Sequence, residues 1–126
     1  TDGRTTAKTI ELLKSLGENR EKPFFLAVGL TKPHLPFVAP KKYWDMYNRA
    51  DFNMPSNKGT PPGYPSYAAN QFAYEMHKYS DFEGKSPKDF YDDFNKRLLH
   101  GYAACTSYAD ACVGRILNTL KKNNLT

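Results

Sequence analysis

Apolar positions recur with helical spacing in two parts of the chain, run unbroken in a third and lose all order in a fourth. Over residues 5–16, Ala7, Ile10, Leu13 and Leu16 repeat at three-residue steps, the mark of one helix face. Asp2 or Thr5 can cap the start of this helix and Gly17 can end it. A continuous apolar run, 24–30, follows a short charged turn. It does not alternate, which is the pattern of a parallel strand buried on both faces. A long helix is predicted over 87–122, opened by Ser86 as N-cap and Pro87 at its first position. Phe90, Phe94, Leu98, Tyr102, Cys105, Ala109, Cys112, Ile116 and Leu120 hold its stripe, and Lys121 and Lys122 suit its C-terminal dipole. Between 49 and 85 no period is sustained and Pro55, Pro61, Pro62 and Pro65 interrupt the chain, so a long aromatic loop is expected there. Helix, strand and helix in this order make an α/β reading with one buried parallel strand. A lone strand leaves its N–H and C=O groups without a ladder, so it is expected to complete a larger sheet.

The loop at 31–40 is where chemistry is expected. Pro33, Pro36 and Pro40 end the strand and stiffen the loop. In open α/β sheets ligands bind at the C-terminal ends of strands, and this loop carries Lys32 and His34 there. A histidine on a rigid loop can donate to an anionic oxygen or move a proton near neutral pH. The segment from Pro40 to Tyr47 fits a short helix with proline near its first turn.

Composition narrows the class without naming a function. With 40% hydrophobic and 25% charged residues the chain folds rather than remaining disordered. Its net charge of +5 favours anionic partners, although the basic residues are spread out, with doublets only at Lys41-Lys42, Lys96-Arg97 and Lys121-Lys122. No apolar run approaches the ~18 residues that span a bilayer. Nothing in the chain reads as a signal peptide, and a start at Thr1 suggests a processed protein or an internal piece. Cys105 and Cys112, seven residues apart on one helix, lie roughly 10 Å apart along its axis, too far for a disulfide, and read as core thiols. His77 and His100 lack any zinc-ligand spacing. Asn124-Leu125-Thr126 is a glycosylation sequon, a pattern too short to carry weight alone.

Two motifs in order give a resemblance. The stretch Phe24-Phe25-Leu26-Ala27-Val28-Gly29, followed by Lys32-Pro33-His34, Pro36-Phe37 and Pro40, resembles the strand and loop of type I sulfatases of the iduronate-2-sulfatase-like branch. Gly101-Tyr102-Ala103-Ala104-Cys105-Thr106-Ser107-Tyr108-Ala109-Asp110, with Val113-Gly114-Arg115, resembles the later helix of the same family. The resemblance implies an alkaline phosphatase-like sheet domain, of which 1–126 is a middle segment. It implies hydrolysis of sulfate esters, with sulfated carbohydrate as substrate class. It also implies a periplasmic, secreted or lysosomal setting, with no nucleic-acid partner and no membrane span. In the family the histidine of the Lys-Pro-His triplet contacts the substrate sulfate, which makes His34 the expected catalytic and substrate-binding residue, with Lys32 a weaker substrate-binding candidate.

The same resemblance implies a formylglycine, made from the cysteine of a Cys-x-Pro-Ser-Arg motif, and a calcium ion held by carboxylates. Neither Cys105 nor Cys112 has that context, and no metal ligand is assigned in this chain. Asp92-Asp93 reads as a pair of solvated first-turn carboxylates, and Asp110 and Arg115 as structural. Gly101 and Gly114 inside the helix suggest close approach of a neighbouring element. The missing parts are expected in the remainder of a parent sulfatase chain, so the segment alone is expected to be inactive. Two alternatives stand beside this reading: a phosphodiesterase or phosphatase of the same superfamily, and a non-catalytic module that binds acidic glycans through residues 43–79.

Overall fold

The computed structural model describes residues 1–18, 21–57, 61–65, 67, 79–80 and 92–126. Three helices organise them: α1 (Asp2–Glu18), α2 (Lys41–Trp44) and α3 (Asp92–Lys122), with a 3-10 turn at Arg49–Asp51. Both α1 and α2 pack on α3.

Helix α1 begins three residues before the expected 5–16 and runs two beyond it. The carbonyl of Thr1 accepts from the N–H groups of Arg4 and Thr5, so the first turn closes there. Neither expected cap acts at that point, because the Asp2 carboxylate is committed to another segment. The buried face is Asp2, Thr6, Thr9 and Leu13, while Ala7 is exposed. Thr9 can be buried because its hydroxyl donates to the carbonyl of Thr5.

Helix α3 is 31 residues long and is described from Asp92 onward; the Ser86-Pro87 start lies outside the described residues. Its buried seam is His100, Gly101, Ala104, Cys105, Cys112 and Thr119. This seam is rotated from the expected stripe: Phe94, Leu98, Ala109, Ile116 and Leu120 are half-buried and Tyr102 is exposed. Small residues win the seam because α1 and the 31–47 segment approach closely only where side chains are short. Both cysteines are buried free thiols, in line with their spacing.

The two helix glycines differ. A Cβ on Gly101 would stand 2.9 Å from Phe37 Cβ and 2.9 Å from Trp44 Cη2, neither of them the end of a flexible chain. A Cβ on Gly114 would meet nothing within 4 Å, so close approach does not explain that glycine. Gly101→Ala is therefore expected to destabilise by about 1 kcal/mol, overpacking outweighing helix propensity. Gly114→Ala is expected to stabilise by up to about 1 kcal/mol. Urea midpoints of the two variants should move in opposite directions.

The expected strand at 24–30 has no regular secondary structure and no ladder partner among the described residues. Phe25 is 92% exposed, and Phe24 and Val28 are also open to solvent. The described residues thus form helices and no sheet, which departs from the expected buried strand. The physical reason is supply: the chain offers one strand-forming run, and a strand is completed only by neighbours on its edges. Of the expected aromatic loop at 49–85, the described portions hold the 3-10 turn and short irregular pieces, and His77 lies outside them. No described helix is long and apolar enough to cross a membrane.

Candidate functional site

The 31–40 loop is held from both ends. At its start, the Asp2 carboxylate accepts the backbone N–H of Thr31 at 3.0 Å and of Lys32 at 2.8 Å. Asp2 is almost fully buried, which opposes its ionisation. The two N–H donors and the nearby Lys32 charge outweigh that cost together and hold the carboxyl below its ordinary range. The position at the N-terminus of α1 favours the anion further. Later in the loop, the Phe37 N–H donates to the Tyr79 hydroxyl at 2.6 Å.

Lys32 works on the loop itself. Its ammonium donates to the carbonyls of His34 at 3.0 Å and Pro36 at 2.6 Å, closing the turn around His34. The His34 N–H also donates to the Thr31 carbonyl. The Lys32-Pro33 and Leu35-Pro36 peptide bonds are cis. Lys32 and His34 are thus brought together, but through the lysine's charge and the histidine's backbone.

His34 is exposed on this braced turn. Its Nδ1 lies 2.7 Å from the Leu35 carbonyl. A carbonyl only accepts, so Nδ1 carries the proton. Nε2 is then an acceptor in the neutral ring and a donor in the imidazolium. The protonated ring can therefore present one N–H to an anionic oxygen while Leu35 fixes its orientation.

A cleft of about 490 Å³ opens beside the loop, lined by Asp2, Thr31, Lys32, Val38, Pro40 and Tyr108 among others. The Tyr108 hydroxyl accepts the Gly3 N–H at 2.7 Å, and burial pushes that hydroxyl's pKa up. Burial likewise pushes the Cys105 thiol up, which keeps it in the unreactive protonated form. His100 is structural: it is buried, its Nε2 donates to the Trp44 carbonyl at 2.8 Å, and the rings of Trp44, Tyr47 and Phe52 surround it. Asp92 and Asp93 are exposed in the first turn of α3, and Asp110 and Arg115 are exposed along it. Among the described residues no group of three or more His, Cys, Asp and Glu side chains stands together as a metal site. The described side chains therefore do not fit a calcium ion.

Sequence reasoning missed Asp2 as the anchor of the loop. Its one signal was an acidic residue at a helix start, which reads equally well as a cap. Tyr79 and Tyr108 carried no signal, because their roles exist only across long sequence separations.

Comparison with known proteins places these features in context. The family model described as Sulfatase matches residues 1–126. The chain is 32% identical over 123 residues to iduronate 2-sulfatase of Homo sapiens, covering 94% of this chain and 22% of that protein. It is 30% identical over 114 residues to a sulfatase of Formosa agariphila, covering 89% and 21%. It is 25% identical over 118 residues to the choline-sulfatase of Rhizobium meliloti, covering 94% and 22%. The chain thus spans about a fifth of the length of the curated relatives it matches.

Proposed function

The chain belongs to the sulfatase family, and from that premise we propose that it forms part of an enzyme hydrolysing sulfate esters. The observation that carries the proposal is the family match over the whole chain, joined to an exposed His34 on a loop braced by Asp2 and Lys32. In this reading His34 is the substrate-contacting residue: its imidazolium donates from Nε2 to a sulfate oxygen. Lys32 supports it by fixing the turn and by adding positive charge near the anion. The likeness to iduronate 2-sulfatases supports sulfated glycans as the substrate class.

Calcium and formylglycine would supply Lewis-acid activation and the nucleophilic oxygen in the parent enzyme. Residues beyond this chain would hold them, and the isolated segment is inactive in this reading. The exposed 24–30 run is then a strand of the parent sheet, covered by the remainder of the parent chain, in a periplasmic, secreted or lysosomal protein. Exposed Val113 and Leu117 on α3 support such covering.

The test is hydrolysis by the whole protein of 4-methylumbelliferyl sulfate and of the matching phosphate. A kcat/KM at least tenfold higher on the sulfate is expected. Preference for the phosphate would move the protein to phosphoester chemistry, and hydrolysis of neither would overturn the enzymatic reading.

A further inference from the structure

Tyr79 is distant in sequence from the His34 loop yet bonds its backbone. Its hydroxyl accepts the Phe37 N–H at 2.6 Å, in a part-buried contact that spans 42 positions. That N–H belongs to the same peptide unit as the Pro36 carbonyl, and a peptide unit is planar and stiff. The Pro36 carbonyl accepts from the Lys32 ammonium at 2.6 Å and from the Val38 N–H at 2.8 Å. Tyr79 and Lys32 therefore grip opposite edges of one plane. Lys32 also donates to the His34 carbonyl at 3.0 Å, so the grip continues into the residue that carries the imidazole. The Leu35 carbonyl, which orients the His34 ring through Nδ1, lies in the peptide unit just before this plane.

The Phe37 side chain does not do the same work. Its ring stands edge-on to Tyr102, with centroids 5.9 Å apart, and its Cβ lies against Gly101. These contacts place the side chain of Phe37, while the peptide before it can still turn about the single bonds on either side. Such a turn would carry the Pro36 carbonyl away from Lys32 and leave a part-buried N–H without an acceptor. The Tyr79 hydroxyl opposes it.

We propose that Tyr79 is a positioning residue for the histidine that meets the sulfate. Its hydroxyl sets the Pro36–Phe37 plane, and through that plane the Lys32 bracket that holds His34. The inference rests on the sulfatase reading for the reaction, while the orientation of the ring can be measured without turnover. Misplacing a group by 1 Å can cost on the order of 100-fold in rate, so partial loosening of the bracket is expected to cost about tenfold.

The test uses the whole protein with Tyr79→Phe, His34→Ala and both together. Tyr79→Phe keeps the ring and removes only the acceptor. It is expected to lower kcat/KM on 4-methylumbelliferyl sulfate about tenfold by itself, and less than about twofold when added to His34→Ala. A hydroxyl that only stabilised the fold would lower activity by one factor in both backgrounds, and that result would overturn the proposal. So would an unchanged kcat/KM in Tyr79→Phe. The second measurement is nitrogen NMR of the whole protein with histidine alone labelled, the His34 signals being those lost in His34→Ala. Wild type is expected to hold one neutral tautomer, with the proton on Nδ1, and Tyr79→Phe to populate both. Mixed tautomers in wild type, or a single tautomer kept in Tyr79→Phe, would overturn the positioning role. Absence of hydrolysis by wild type would sink the sulfatase reading instead, and the NMR comparison would still decide the part played by Tyr79.

Discussion

Asp2→Asn is expected to loosen the His34 loop almost as much as Asp2→Ala, at a cost of about 2–4 kcal/mol. The Asp2 carboxylate accepts two backbone N–H groups, one on each oxygen. Asparagine keeps one acceptor oxygen and turns an N–H₂ group toward the second N–H donor. Hydrogen bonds to a charged acceptor contribute about 1.5–3 kcal/mol each, and a buried donor left without a partner costs about 1–3 kcal/mol. The loss is local, so amide hydrogen exchange over residues 31–36 is the direct measurement, and protection there should fall in both variants. Unchanged protection in Asp2→Ala would remove Asp2 from its anchoring role.

The same contact sets a pH dependence. The folded-state pKa of Asp2 is lowered from the ordinary 3.8. Its contribution is then fully present above that ordinary value and is lost as pH falls through the lower folded value. Wild-type protection of residues 31–36 should therefore weaken below about pH 4. The Asp2→Asn variant should lack this component, and parallel pH profiles for the two proteins would count against the linkage.

The sequence made the elements legible where the physics is local. Helical period alone located α1 and the described part of α3, and three prolines marked 31–40 as a stiff loop. What stayed hidden depends on tertiary partners. Gly101 and Gly114 look alike in a helix, yet only Gly101 lies against Phe37 and Trp44. The stripe through Phe94 and Leu98 was visible as apolar periodicity, but which side of it is buried depends on what packs there. The run at 24–30 was visible as an apolar segment, while its pairing requires strands that the described residues do not supply. His34 could be singled out because a histidine between prolines after an apolar run is a local feature. Tyr79 and Phe37 meet across 42 positions, and no spacing rule connects them.

His34→Ala in the whole protein should separate function from stability. The side chain is exposed, and the Leu35 carbonyl that its ring bonds belongs to the adjacent residue. Its removal should change stability by no more than about 0.5 kcal/mol, the range of exposed substitutions. If its imidazolium donates to the sulfate as negative charge shifts in the transition state, turnover should fall at least about tenfold, since a lost donor of this kind costs a few kcal/mol. Lys32→Met should behave differently. It frees the carbonyls of His34 and Pro36 from a shared ammonium, so both loop protection and turnover should decline together. The decisive comparison is kcat/KM on a sulfate ester beside hydrogen exchange over residues 31–36, for both variants. Lost turnover with intact protection in His34→Ala assigns the imidazole to the substrate. Full turnover in a well-folded His34→Ala protein would leave His34 a surface residue and move the sulfate contact elsewhere in the parent enzyme.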